Sequence, residues 1–150
     1  NAIYRETIKI DPANWTAYNN LAWNLTLAGN LDDAAKMGEQ ALTLAPGEGS
    51  IQDTLGLIEL GRGNVDRSLQ LLTDAARRLP NNPEVRLHLA QALERKGETR
   101  QAIDHLESIV MATPNFTKIE EARQMLKKLN PDSEALKGAD LPTTSTGQTM

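Results

Sequence analysis

The sequence predicts an all-α fold, a solenoid of stacked antiparallel helix pairs, on three observations. Prolines stand at 12, 46, 80 and 114, a step of 34 residues each time. Glycines at 29, 63 and 97 keep the same step. Between these marks apolar residues recur at i, i+3, i+4 and i+7, the spacing of one helix face. A period of this size marks stacked units, each burying its apolar face on its neighbours.

The elements follow in order. Tyr4 lies 34 residues before Gly38, which makes residues 1–12 the second helix of a preceding, truncated repeat. The unit 13–46 carries Tyr18, Leu21, Ala22 and Leu25 on its first helix, then Ala34, Met37, Ala41, Leu42 and Ala45 on its second. The unit 47–80 gives Ile51, Leu55 and Ile58, then Val65, Leu69, Leu72, Ala75, Ala76 and Leu79. The unit 81–114 gives Leu89, Ala90 and Leu93, then Ala102, Ile103, Leu106, Ile109 and Val110. Each glycine falls between the helices of a pair, where positive φ is wanted. Each proline closes a second helix. Asn14, Ser50 (with Asp53 three residues on) and Asn82 followed by Pro83 are the expected N-caps. Over 115–130, Ile119, Ala122, Leu126 and Leu129 form one stripe, opened by a Thr117–Glu120 capping box. The segment 131–150 is poor in apolar residues and is expected to be a disordered tail or linker.

Aligned on the period, the copies read Tyr18-x2-Leu21-Ala22-x2-Leu25, Ala34-x3-Gly38, Pro46; then Gln52-x2-Leu55-Gly56-x2-Glu59, Ser68-x3-Leu72, Pro80; then Arg86-x2-Leu89-Ala90-x2-Leu93, Ala102-x3-Leu106, Pro114. This resembles the tetratricopeptide repeat (TPR), W-x2-L-G-x2-Y, A-x3-F, P. The resemblance implies a right-handed superhelical solenoid whose last helix, 115–130, caps the stack. Ala22, Gly56 and Ala90 are the small residues that let paired helices approach. Gly38, Gln52 and Glu59 depart from the pattern, each a candidate thin spot in the core. The regular Leu/Ala-rich copies are also similar to bacterial TPR proteins of envelope assembly and polysaccharide export.

Composition narrows the function. Sixteen Lys+Arg against 20 Asp+Glu give a net charge of −4, which makes no electrostatic case for nucleic acid. Without cysteine there is no disulfide, thiolate metal site or cysteine nucleophile. Apolar runs of a few residues insert into no membrane. The stretch Gly56 to Gly63 echoes a phosphate loop but lacks its Lys and Ser/Thr and lies on a helix. His88 and His105 read as solvated or hydrogen-bonded side chains rather than metal ligands. Asp32-Asp33 and Glu120-Glu121 open helices, where negative charge suits the dipole. Asn14, Asn24 and Asn115 each begin a glycosylation triplet, with sugar attachment the weaker reading. Arg77-Arg78 and Arg95-Lys96 read as a solvated face. No catalytic residue, cofactor or metal is expected.

The concave face, in the TPR resemblance, holds an extended peptide or partner helix. Asn19 and Trp23 turn from the core stripe of their helix toward that face, with Asn20 beside them. The corresponding residues of the next copies are Asp53 and Leu57, with Thr54, and Leu87 and Gln91, with His88. Trp23 has two readings, a ligand anchor or packing on a missing preceding repeat or on its neighbour's aliphatic stems. The chaperone-tail-binding TPR pattern, a Lys/Asn/Arg clamp on a terminal carboxylate, does not fit, because Asn19, Trp23, Thr54, Glu84 and His88 occupy its places. The expected function is a non-catalytic scaffold for a protein or peptide partner. A regulatory arm of a larger enzyme and a self-assembling module remain as alternatives, the second because a chain opening at Asn1 without Met reads as an excerpt with an exposed apolar end.

Overall fold

The computed structural model describes residues 1–138, which form nine helices and no strand. Helix α1 (Ala2–Ile10) packs on α2 (Trp15–Leu27), which pairs with α3 (Leu31–Leu44). Then α4 (Gly49–Gly61) pairs with α5 (Val65–Arg78), and α6 (Pro83–Lys96) with α7 (Thr99–Ala112). Helix α8 (Ile119–Leu129) lies on α7, and the short α9 (Glu134–Lys137) touches both. This is an all-α helical-repeat solenoid.

The turns within the pairs are one device used three times. Gly29, Gly63 and Gly97 have φ of 77°, 84° and 89°, a region that costs a side-chain-bearing residue about 1–2 kcal/mol. Past each glycine, the amides of Asn30, Asn64 and Glu98 donate to the carbonyls of Leu25, Glu59 and Leu93. These bonds close the last turn of the first helix. Asn14 and Asn82 cap α2 and α6 as expected, accepting from Ala17 N at 2.9 Å and from Glu84 N at 3.0 Å. Ser50 is not a cap: α4 starts earlier, at Gly49, behind Glu48. Gly49 is pressed against the end of α5, where a Cβ would sit 2.9 Å from Leu79 Cγ, so the helix begins inside that contact. Thr117 is no cap either. The N-cap of α8 is Lys118, whose side chain reaches back to Glu84 at 2.5 Å.

The core runs continuously along the stack. Leu21, Ala22 and Leu25 meet Ala34, Ala35, Leu55 and Ile58, and the same apposition recurs to Leu106, Ile109, Ala122 and Leu126. Each fully buried Leu or Ile contributes about 1.5–3 kcal/mol. At Gly56 the approach of α5 is closest: an added Cβ would lie 2.6 Å from Leu72 Cγ. Ser68, standing where the other copies have alanine, donates to the Gly56 carbonyl at 2.7 Å across the same contact.

Two of the three expected thin spots are filled. The space beside Gly38 is taken by Leu55, whose Cδ1 would lie 2.9 Å from an added Cβ. Glu59 is buried, and its carboxylate accepts from Arg62 at 2.9 Å and from Asn64 at 2.5 Å. Gln52 differs, since it is buried with Oε1 unpartnered among the described residues. That arrangement costs about 1–3 kcal/mol.

Ties between units also follow the period. Asp32–Arg62 and Asp66–Lys96 are copies of one ion pair 34 residues apart. Glu84–Lys118 and Glu94–Lys128 join α6 to α8. The tail expected from 131 onward departs from that reading at α9. There Ser133 is buried, donating to Glu107 at 2.5 Å and accepting from Ala135 N at 3.3 Å. Residues 139–150 of that tail lie outside the described residues.

Candidate binding groove

The first helices of the pairs, α2, α4 and α6, stand side by side and enclose a concave pocket of about 190 Å³. Asn19 and Trp23 come from α2, one turn apart on one face. Helix α4 supplies Ser50, Asp53 and Thr54, and α6 supplies Glu84, Val85 and His88. Leu79 and Asn82, in the connection from α5 to α6, complete the lining.

The polar groups of the pocket are held in place. His88 is 4% exposed, and its Nδ1 donates to Asp53 Oδ1 at 2.8 Å, a bond between successive first helices. The hydrogen bond from Lys118 keeps the Glu84 carboxyl below the usual carboxylate range, against a smaller opposing effect of burial. The Thr54 hydroxyl is spent on the Ser50 carbonyl at 3.0 Å. The Asn82 Oδ1 is spent capping α6. Asn19 differs from these: its Oδ1 is buried and has no hydrogen-bond partner among the described residues.

Of the expected groove residues, the structure brings Asn19, Trp23, Asp53, Thr54 and His88 together. Trp23 is half-buried, belongs to none of the core clusters and forms a wall of the pocket. Leu87 is in the core instead, fully buried with Leu106, Ile109 and Ala122, because α8 covers that position of α6. Gln91 reaches out of the groove to Glu121 on α8 at 2.9 Å, fastening the capping helix. Asn20 and Leu57 are half-buried outside the lining. His88 is hydrogen-bonded and buried, not solvated.

Ser50, Leu79, Asn82 and Val85 line the pocket although sequence reasoning did not assign them there. Ser50 lies 34 residues before Glu84, so extending the period one turn toward each helix start was the available signal. Elsewhere, half-buried His105 is harder to protonate than a free histidine, first because of burial and then because of nearby Arg86. Among the described residues no three histidine or carboxylate side chains converge on a common point where a metal could sit. The groove thus sets two carboxylates, each held by a hydrogen bond, beside one aromatic ring.

Models of the tetratricopeptide repeat match residues 16–45 and 59–124. No curated protein sequence matches the chain significantly. Among solved structures, the Yersinia enterocolitica type III secretion translocator chaperone SycD superposes with a TM-score of 0.70 at 22% identity, over 80% of this chain and 94% of that one. MamA gives 0.74 at 18% identity, over 91% and 78%. YrrB, described as a TPR protein with an unusual peptide-binding site, gives 0.65 at 19% identity, over 92% and 80%. At these identities the likeness is one of fold. Matched over the greater part of its repeated helix pairs, the chain belongs to the tetratricopeptide repeat family.

Proposed function

We propose that this chain is a non-catalytic protein-interaction scaffold that holds a segment of a partner protein against α2, α4 and α6. The observation that carries the reading is the pocket itself, in which Trp23 stands outside the core beside the buried Asn19 Oδ1, which has no hydrogen-bond partner among the described residues. Large aromatics on rigid elements are efficient binding anchors, and stacked helices present them at little ordering cost. Helix α8, fastened to α6 by Lys118 and Lys128, holds the far end of the groove in shape. The fold likeness to SycD, one of whose structures is a complex with a peptide of the translocator YopD, is consistent with this use.

Capture from a lysate of the source cell tests the reading with three baits: the unaltered chain, Trp23→Ala, and Lys36→Ala on the exposed side of α3. A groove partner is retained by the first and third baits and binds Trp23→Ala about thirtyfold more weakly. Equal retention by all three removes the groove from the account. A second reading, self-association through α1, has one observation behind it, Ile3 and Ile10 at 78% and 79% exposed. A sedimentation mass that stays monomeric up to high concentration would exclude it.

A further inference from the structure

We propose that the pocket between α2, α4 and α6 receives a cationic side chain, lysine or arginine, carried on an extended segment of a partner protein. This rests on the groove being the binding face and assigns what that face selects. The lining holds two carboxylates, Asp53 and Glu84, and no lysine or arginine. Each carboxylate is engaged through one oxygen, Asp53 by His88 and Glu84 by Lys118, which aims it while leaving the other oxygen for a ligand. The Thr54 hydroxyl is committed to a carbonyl and the Asn82 Oδ1 to its cap. Among the described residues, Asn19 Oδ1 is a buried acceptor of the lining without a hydrogen-bond partner.

A cation satisfies this set in a way other occupants do not. The ammonium or guanidinium donates to Asp53, Glu84 and Asn19 and lies against the Trp23 ring, which attracts positive charge. Val85 and Leu79 offer apolar surface to the methylene stem. An apolar knob would desolvate both carboxylates and leave Asn19 unpaired. An acidic residue would meet like charge. Residues 139–150 of this chain contain no lysine or arginine, so that segment does not supply the occupant.

The test titrates isotope-labelled chain with capped pentapeptides identical except for a central arginine, lysine, glutamine, leucine or glutamate. Binding is followed at the Asn19 side-chain amide and the Trp23 indole N–H. The arginine and lysine peptides are expected to shift both signals saturably and to weaken with added salt. Asp53→Asn, which can still accept from His88, and Glu84→Gln, on a half-exposed carboxylate, should each lower their affinity about fivefold. Unchanged amide spectra elsewhere would certify the fold of both variants. Equal response to glutamine and arginine, no response to any peptide, or full affinity in both variants would each overturn the assignment. A leucine peptide that moves these signals where arginine does not would overturn it while leaving the groove as the binding face. A captured partner that shifts only α3, α5 and α7 would remove the groove itself.

Discussion

A methyl group added at Gly56 would meet Leu72 Cγ at 2.6 Å and Cδ2 at 2.8 Å, in the middle of a buried side chain that has nowhere to turn. At Gly38 the nearest atom is the terminal Cδ1 of Leu55. The two glycines should therefore separate on substitution. Gly56→Ala is expected to destabilise by about 1 kcal/mol, overpacking exceeding the gain in helix propensity. Gly38→Ala should fall within about 0.5 kcal/mol of the unaltered chain, the two effects nearly cancelling. Thermal melts of the pair decide this, and an inverted order would contradict the packing described. Both glycines were legible from the pattern, Gly56 as its small residue and Gly38 as a departure where a bulky one is usual. What filled the space was not, because Leu55 and Leu72 satisfy the apolar pattern in any rotamer. The same holds at Glu59, a carboxylate in a core position whose partners Arg62 and Asn64 lie just past the turn.

At the scale of elements the 34-residue period carried nearly everything. It located the helices from α1 to α7 and the three glycine turns, because backbone geometry at those turns admits few residue types, while an apolar stripe located α8. It failed where packing contacts decide an end. Gly49 against Leu79 moves the start of α4, and Lys118 on Glu84 moves the start of α8. Helix α9 was missed because a single turn docked by Ser133 on Glu107 carries no periodic signal. The ion pair Asp66–Lys96 lapses one unit later, where Arg100 and Asn130 hold the corresponding positions. Helix α8 then depends on its apolar stripe, and Leu126→Ala should cost about 3 kcal/mol in a chemical denaturation curve. Asp66→Asn, breaking an exposed pair, should cost under about 0.5 kcal/mol.

Over the whole molecule, stability should vary with pH through His105. Its folded-state affinity for a proton is lowered, chiefly by burial, so below about pH 6.5 the unfolded chain binds the proton more readily. Its contribution is then constant above that pH and is lost as pH falls. Glu84, held ionised by Lys118, adds a loss only further down, as pH drops from the ordinary glutamate value through its lowered one. Urea midpoints between pH 7 and 5.5 should fall for the unaltered chain and fall less for His105→Gln; identical slopes would exclude this histidine.

The groove is also a property of the whole stack, since no unit contains it. Five of its residues were legible from the period. The bond joining Asp53 to His88 was not, because it is one residue out of register, 35 apart. Leu87 and Gln91 were misjudged because α8 continues the stack over α6. The face of α2, α4 and α6 is proposed as the surface where this protein works. The most direct test is the map of backbone amide shifts when the labelled chain is saturated with a captured partner. Shifts concentrated at Asn19, Trp23, Asp53, Glu84 and His88 are the expected result. Shifts confined to the exposed sides of α3, α5 and α7 would contradict it.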